Sequence, residues 1–279
     1  NKRLQKGCFM KDGYYIIDAH CHIYPDAVAE RAVLHTDEFY GITAPHLGTV
    51  RDLYDTAFSA GIALCVAESV ATTPKQVTSI HRFIARCVAE SDGRLIGLGT
   101  LHPDSADPAA DADEAVSLGF RGVKLHPDIQ GFAVDDPRAC RLYEICAERN
   151  LPVLLHTGDR RYDFSNPNRL LPVLRAFPGL TFIGAHLGGY TLWEEAWKTL
   201  AGVPNFYVDC SSSLSFLSPA TARDIIRRYG ADRVLFGTDF PMGDPKEELS
   251  RFFALGLTED ECRLILSDNA RRVFHIQAL

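Results

Sequence analysis

The chain has 279 residues, 46% hydrophobic and 23% charged, with a formal net charge of −7. That length suits one large domain with a substantial core, and an acidic balance with no basic run argues against a nucleic-acid partner, which needs clustered Lys and Arg. No apolar stretch reaches the roughly 18 residues of a membrane helix. No signal-peptide pattern is visible either, although a sequence opening on Asn1 rather than Met weakens that second point.

The elements alternate along the chain. Strands are expected at Tyr14–His20, Gly61–Ala67, Arg94–Leu101, Phe120–His126, Pro152–His156, Thr181–His186, Asn205–Cys210 and Arg233–Thr238. Each is short and almost continuously apolar, as parallel strands buried on both faces are. Helices are expected between them, at Leu47–Ala60, Pro74–Ser91, Asp107–Leu118, Pro137–Arg149, Asn168–Phe177, Leu192–Leu200, Pro219–Tyr229 and Pro245–Leu255. A last helix, Thr258–Val273, opens with Thr258 as N-cap and Glu261 as its capping-box partner. Eight βα units predict an α/β fold of the (β/α)8 TIM-barrel type. The domain is single, covering residues 1–279, with residues 1–13 as an N-terminal extension. An open doubly wound sheet is disfavoured, because no Gly-rich fingerprint follows the first strand. The long first βα connection, Cys21–Gly48, carries Tyr24, Phe39 and Tyr40 and reads as an ordered lid or pocket wall.

Eight cysteines (Cys8, Cys21, Cys65, Cys87, Cys140, Cys146, Cys210 and Cys262) are scattered with no Cys-x-x-Cys pair. They read as reduced thiols of a cytoplasmic protein.

Histidines gather at strand ends: His20, His22, His102, His126, His156 and His186. The carboxyl ends of barrel strands are where barrel chemistry is placed. His20 and His22 flank Cys21, and residues i and i+2 of a strand share a face, so both imidazoles can reach one ion. Alone, the pair could equally be two hydrogen-bonded core histidines. His156, His186 and Asp239 each follow an apolar strand and precede Gly or Pro. Such groups converging on one mouth are costly to desolvate without an ion or a shared proton. Lys124 and His126 end the fourth strand on a common face. Lys124 could bind a substrate carboxylate, form a Schiff base, carry a carboxylated amine between two metals, or make a structural ion pair. Arg160 and Arg161, after the fifth strand, could bind a carboxylate or be solvated loop charges.

Together these motifs resemble the amidohydrolase superfamily, and more closely its amidohydrolase-2 branch of metal-dependent TIM-barrel hydrolases. The stretches that carry the likeness are Ile17-Asp18-Ala19-His20-Cys21-His22, Gly122-Val123-Lys124-Leu125-His126-Pro127, Leu155-His156-Thr157-Gly158, Ala185-His186-Leu187-Gly188-Gly189, Gly237-Thr238-Asp239-Phe240-Pro241 and Ile265-Leu266-Ser267-Asp268-Asn269-Ala270. The resemblance runs from about Ile16 to Phe274. It implies metal ligation by His20, His22, His156 and Asp239, with zinc or another divalent ion. If two ions bind, Lys124 and His186 hold the second; otherwise His186 is an acid/base or polarising group.

The implied reaction is hydrolysis of a small-molecule amide, lactone or ester by metal-activated water. Asp239 is then the general base, assisted by His186. Lys124, His126 and Arg161 are the substrate-binding candidates. The Lys-Leu-His-Pro stretch favours hydrolysis, but the same ligands serve a metal-dependent non-oxidative decarboxylase of an aromatic or unsaturated acid. A Schiff-base aldolase using Lys124 is a further alternative, and a barrel that only binds a ligand another. The acidic balance disfavours a DNase. The partner expected is a small-molecule substrate, with no nucleic acid and no membrane; a homo-oligomer is left open.

Overall fold

Eight parallel staves form the core of the computed structural model, which describes residues 11–277. Cys8 and most of the 1–13 extension lie outside the described residues. The strands are β1 (Ile17–His22), β2 (Leu64–Glu68), β3 (Leu95–Gly97), β4 (Gly99–Thr100), β5 (Val123–Leu125), β6 (Val153–Leu155), β7 (Phe182–Gly184), β8 (Phe206–Asp209) and β9 (Val234–Leu235). Each pairs in parallel with its neighbour in sequence, except that β3 and β4 are halves of one stave. That stave changes partners at Leu98. The Leu98 N–H donates to Ala67 O on the β2 side, and the Gly99 N–H to Gly122 O on the β5 side. Backbone bonds from the first stave to the segment after β9 complete the ring. The Ala19 N–H donates to Phe236 O at 2.9 Å, the Asp239 N–H to His20 O at 2.9 Å, and the His22 N–H to Phe240 O at 2.6 Å.

The helices between the staves are α1 (Asp26–Tyr40), α2 (Val50–Leu53), α3 (Val77–Ala89), α4 (Pro108–Ser117), α5 (Pro127–Gln130), α6 (Pro137–Glu148), α7 (Pro167–Ala176), α8 (Trp193–Leu200), α9 (Pro219–Tyr229) and α10 (Pro245–Phe253). The last expected helix is three pieces: α11 (Glu259–Arg263), a π turn over Leu264–Asp268, and α12 (Asn269–Val273). Its capping box forms, with Thr258 and Glu261 each bonding the other's backbone N–H. A π turn also follows α2, over Tyr54–Phe58. The expected helix at Leu47–Ala60 starts later than predicted because Thr49 caps it, accepting from the Asp52 N–H.

One expectation needs correction: Cys21–Gly48 is not a long loop, because most of it is α1. Only Ala29 and Val33 of that helix are buried. A rim helix with so small an apolar stripe leaves little periodic signal. The expectation of a pocket wall is borne out, since Val28, Arg31, Ala32, His35, Thr36 and Tyr40 line the main cavity.

Strand residues alternate between two apolar layers. Ile17, Ala19, Leu64, Val66, Leu154, Ile183 and Leu235 fill the barrel interior, together with Leu98 and, from α12 and just past it, Val273 and Phe274. Cys65, Val123, Leu125, Val153, Leu155, Phe182 and Val208 face the helices. Strict alternation from Ile17 and Ala19 would turn His20 and His22 outward. A bulge prevents this: between Asp18 and Cys21 the first stave advances three residues while the second advances two, Cys65 to Ala67. The extra residue inverts the facing, and His20 and His22 point into the mouth.

The seven described cysteines are free thiols. Among the described residues no helix is long and apolar enough to cross a membrane.

The bulge is pinned by Asp18. Its Oδ1 accepts from the Thr238 N–H at 3.0 Å and the His20 N–H at 3.2 Å, and its Oδ2 accepts from Thr238 Oγ1 at 2.6 Å. Burial raises the Asp18 pKa to about 6, against the opposing pull of the bonds from Thr238 and Cys21. A carboxyl whose folded pKa is raised favours folding at acid pH and loses that contribution as pH climbs from about 4 to 6. Thr238→Val removes a bond that favours the ionised form. It should lower unfolding free energy by about 1–3 kcal/mol at pH 7 and by less at pH 4, where Asp18 is protonated. Urea midpoints at the two pH values check this; an equal loss at both would contradict it.

Candidate active site

At the carboxyl end of the barrel lies a cavity of about 970 Å³, whose floor holds His20, His22, Lys124, His126, His156, His186 and Asp239. The floor has two halves.

The first half is built on β1 and β2, with β8 behind it. The buried Asp209 carboxylate accepts from His20 Nδ1–H at 2.9 Å. The Nε2 lone pair of His20 therefore faces the mouth, where the Lys124 Nζ donates to it at 2.8 Å. His20 Nε2 is 3.1 Å from His22 Nε2, 3.3 Å from Glu68 Oε1 and 3.2 Å from Asp239 Oδ1. His22 Nε2 is 3.8 Å from Glu68 Oε1 and 3.5 Å from Asp239 Oδ1. Two imidazole nitrogens and two carboxylate oxygens thus converge, and both Glu68 oxygens are buried without a hydrogen bond among the described residues. This nitrogen and oxygen donor set fits a divalent ion such as zinc. The carboxylate behind His20 fixes its tautomer, as the partners of metal-ligating histidines do. Burial acts to raise the pKa of Asp239, but His20, His22 and His186 outweigh it and hold this carboxyl well below the usual range. Ser212 Oγ donates to Asp239 Oδ2 at 2.6 Å.

The second half stands on β5, β6 and β7. The rings of His126 and His156 stack 4.0 Å apart at 6°. Tyr40 Oη lies 2.7 Å from His126 Nε2 and 3.3 Å from His156 Nε2. The tautomers follow from one carbonyl. Ser211 O can only accept, so His186 Nδ1 carries a proton and donates to it at 3.1 Å. Burial lowers the His186 pKa to about 4, so the ring is neutral and its Nε2 accepts. His156 Nδ1–H then donates to His186 Nε2 at 3.1 Å. That leaves the His156 Nε2 lone pair facing Tyr40 and Asp128 Oδ2, the latter at 3.5 Å. Burial, reinforced by Asp159, raises the Asp128 pKa to about 7. Burial first, and the nearby Lys124 ammonium in addition, push His126 and His156 well below 6.5.

Backbone geometry sets these positions. His186 and Asp239 both have φ of 60°. Left-handed non-glycine residues cost of order 1–3 kcal/mol and recur at functional sites. Gly158 and Tyr190 form a parallel bridge between the loops after β6 and β7. A Cβ at Gly158 would meet the Gly189 carbonyl carbon and the Tyr190 nitrogen at 2.6 Å, so only glycine lets the loops approach.

The structure thus gathers His20, His22, Lys124 and Asp239 in one half, and His126, His156 and His186 in the other. Asp209 and Ser211 join the halves, since Ser211 Oγ donates to Asp209 Oδ1 at 2.5 Å and the Asp209 side chain also accepts from the His186 N–H. His102 lies apart, with its Nδ1 accepting from the Asp104 N–H. Arg161 does not line the cavity. Its guanidinium forks onto Asp159 and bonds Phe39 O at 2.6 Å, while packing over the rings of Phe39, Tyr40 and Tyr162. It braces the aromatic wall from behind. Arg160 bonds Thr191.

The sequence places Tyr40 in the pocket wall but does not single out Glu68, Asp209 or Asp128. For the first two a signal existed. Glu68 shares the parity of the inward Leu64 and Val66, and Asp209 that of Tyr207, which packs on the interior layer; each ends its strand with a carboxylate.

An amidohydrolase family model matches residues 17–276. The uncharacterised metal-dependent hydrolase YcfH of Escherichia coli K12 is 25% identical, over 95% of this chain and 97% of its own length. The 2-amino-3-carboxymuconate-6-semialdehyde decarboxylase of Dictyostelium discoideum is 24% identical over 65% of this chain and 49% of its own. Among solved structures, the 5-carboxyvanillate decarboxylase LigW of Sphingomonas paucimobilis superposes with a TM-score of 0.75 at 18% identity, covering 94% of this chain and 99% of that one. With a match that runs from the first strand to beyond the last helix, this chain belongs to the amidohydrolase family and is an enzyme of its amidohydrolase-2 branch.

Proposed function

We propose that this enzyme catalyses the metal-dependent, non-oxidative decarboxylation of an aromatic or unsaturated carboxylic acid. The observation that carries this reading is the pocket wall. Beside the histidine and carboxylate floor, the cavity is lined by Tyr40, Tyr190 and Phe216, above the stacked His126 and His156 rings. A planar acid fits against such faces. The sequence likeness to a decarboxylase and the superposition on LigW support the same class.

His20, His22 and Asp239 would hold one divalent ion, zinc or manganese being suited to the donors; His156, the further ligand that the resemblance implies, turns its Nε2 toward Tyr40 and Asp128 in the neighbouring half. Once bound, the ion would neutralise the charge of the substrate's acidic oxygens and orient them. The residues of the chain supply the rest. Tyr40, Tyr190 and Phe216 position the ring, while His126 and Lys124 stand where the carboxylate enters. Asp239 reaches the cavity and is steered by Ser212. It takes a proton from water and delivers it to the carbon that loses its carboxyl group. The electron pair of the broken C–C bond stays on that carbon, and CO2 leaves uncharged, so no oxidant is needed. The neutral His156 and His186 set no charge against the departing CO2.

Hydrolysis of an amide, lactone or ester is the second reading. It is favoured by Asp239, an ionised carboxylate that lines the cavity beside the converging donors, and by the likeness to YcfH. The Schiff-base reading has less support, because Lys124 Nζ is tied to His20 Nε2 and Glu68. A small-molecule substrate is common to all three.

Turnover of ortho-hydroxybenzoic and unsaturated acids in D2O distinguishes the readings. CO2 release with one deuterium at the carbon that bore the carboxyl group is expected, lost with chelator and restored by a divalent ion. Acid release from esters, lactones or amides without CO2 would overturn decarboxylation in favour of hydrolysis. Separately, His20→Ala with His22→Ala should remove bound metal and cut activity by at least about 10²–10⁴-fold while far-UV circular dichroism is unchanged. Full metal content in that variant would contradict the ligand assignment.

A further inference from the structure

Glu68 stands outside the ligand set given above, yet it is the most deeply buried acid facing the pair of histidines. It is 0% exposed, and neither oxygen has a hydrogen-bond partner among the described residues. Its ligand atom and those of His20 and His22 lie within 4.8 Å of one another. A buried carboxylate needs hydrogen bonds or an opposite charge to offset its desolvation. Lys124, 1% exposed, is the nearby cation, 3.3 Å from Glu68 Oε1. Its shorter contact is to His20 Nε2, at 2.8 Å.

Charge balance points the same way. Glu68, Asp239 and Asp209 place three carboxylates around His20, and Lys124 returns one positive charge. Negative groups therefore outnumber the ammonium, and a divalent cation would restore the balance. The ammonium, however, lies against the very atoms such an ion would use, His20 Nε2 and Glu68 Oε1. Two cations cannot share those donors at low dielectric without strong repulsion.

We propose that Glu68 Oε1 is a direct ligand of the ion together with His20 and His22, and that the Lys124 ammonium competes with the ion for His20 Nε2 and Glu68 Oε1 instead of bridging two ions. This rests on the metal-dependent reading above, but not on which reaction the ion serves. Lys124 then acts as a cation that occupies the two metal-binding atoms in the absence of the ion and sets how tightly metal is held. Its side chain swings from the donors when the ion enters, into the cavity it already lines.

The test is metal affinity, read by calorimetry with Zn²⁺ and by the visible spectrum of the Co²⁺-loaded protein. Chelator-treated wild type is compared with Glu68→Gln, Lys124→Met and the double variant. Glu68→Gln should weaken binding by about 100-fold or more and alter the Co²⁺ spectrum. Lys124→Met should tighten binding by about 10-fold or more, with stoichiometry near one ion. In the Lys124→Met background, where Glu68 has no ammonium to neutralise, adding Glu68→Gln should still weaken binding. This comparison holds even if Glu68→Gln alone fails to fold. An unchanged Kd on removing Glu68 in that background would make Glu68 a counterion and overturn the proposal. So would a Lys124→Met variant that binds more weakly or falls from two ions to one. Wild type that binds no divalent ion would overturn the metal-dependent reading itself, a result distinct from either of these.

Discussion

The site depends on one extra residue in the first stave. Without the bulge between Asp18 and Cys21, the alternation that sends Ile17 and Ala19 into the barrel would send His20 and His22 toward the helices. The bulge inverts the facing, and Asp18 fastens it by accepting bonds from His20 and from both the backbone and the hydroxyl of Thr238. Thr238 precedes Asp239, so the bond that fixes the bulge also joins the first stave to the last and brings the histidine pair to the final carboxylate. Closure of the barrel and assembly of the site are one event.

Asp209 has the corresponding role within the floor. One of its oxygens accepts from His20, and the other from Ser211 and the backbone of His186. It decides the tautomer of His20 and, with Ser211, relates the half of the site that gathers carboxylates to the half that gathers neutral imidazoles. The contrast between halves is electrostatic. Around His20 and His22, negative charge exceeds positive and the donors converge. Around His156 and His186, burial keeps the rings neutral and the Ser211 carbonyl orders their protons. A cation is needed in the first half; the second is built for an uncharged or departing group beside an aromatic wall.

Much of this was legible in the sequence. Eight apolar runs are enough to place a parallel barrel, and the five that carry His20, His22, Lys124, His126, His156, His186 and Asp239 at or close to their carboxyl ends bring these residues to one mouth. What escaped did so for physical reasons. α1 buries only Ala29 and Val33, so its periodic signal is faint, although it supplies Tyr40. Glu68 and Asp209 end their strands on the inward parity, but a single carboxylate after an apolar run looks the same as a solvated turn residue until its neighbours are known. Arg161 carries the right charge near the right strand and yet faces Asp159 and Phe39, because its own loop offers a buried carboxylate first. His102 similarly bonds within its own turn. Side-chain direction at a strand end depends on local turns, and parity alone does not predict it.

The central claim is that the convergence of His20 and His22 with two carboxylates is a metal centre. Anomalous diffraction at the zinc edge, from crystals of metal-loaded protein, tests it most directly. The account predicts a peak about 2.0–2.2 Å from both His20 Nε2 and His22 Nε2, with a carboxylate oxygen of Glu68 or Asp239 in the same shell. A peak held only by His156 and His186, or none within reach of His20, would contradict it.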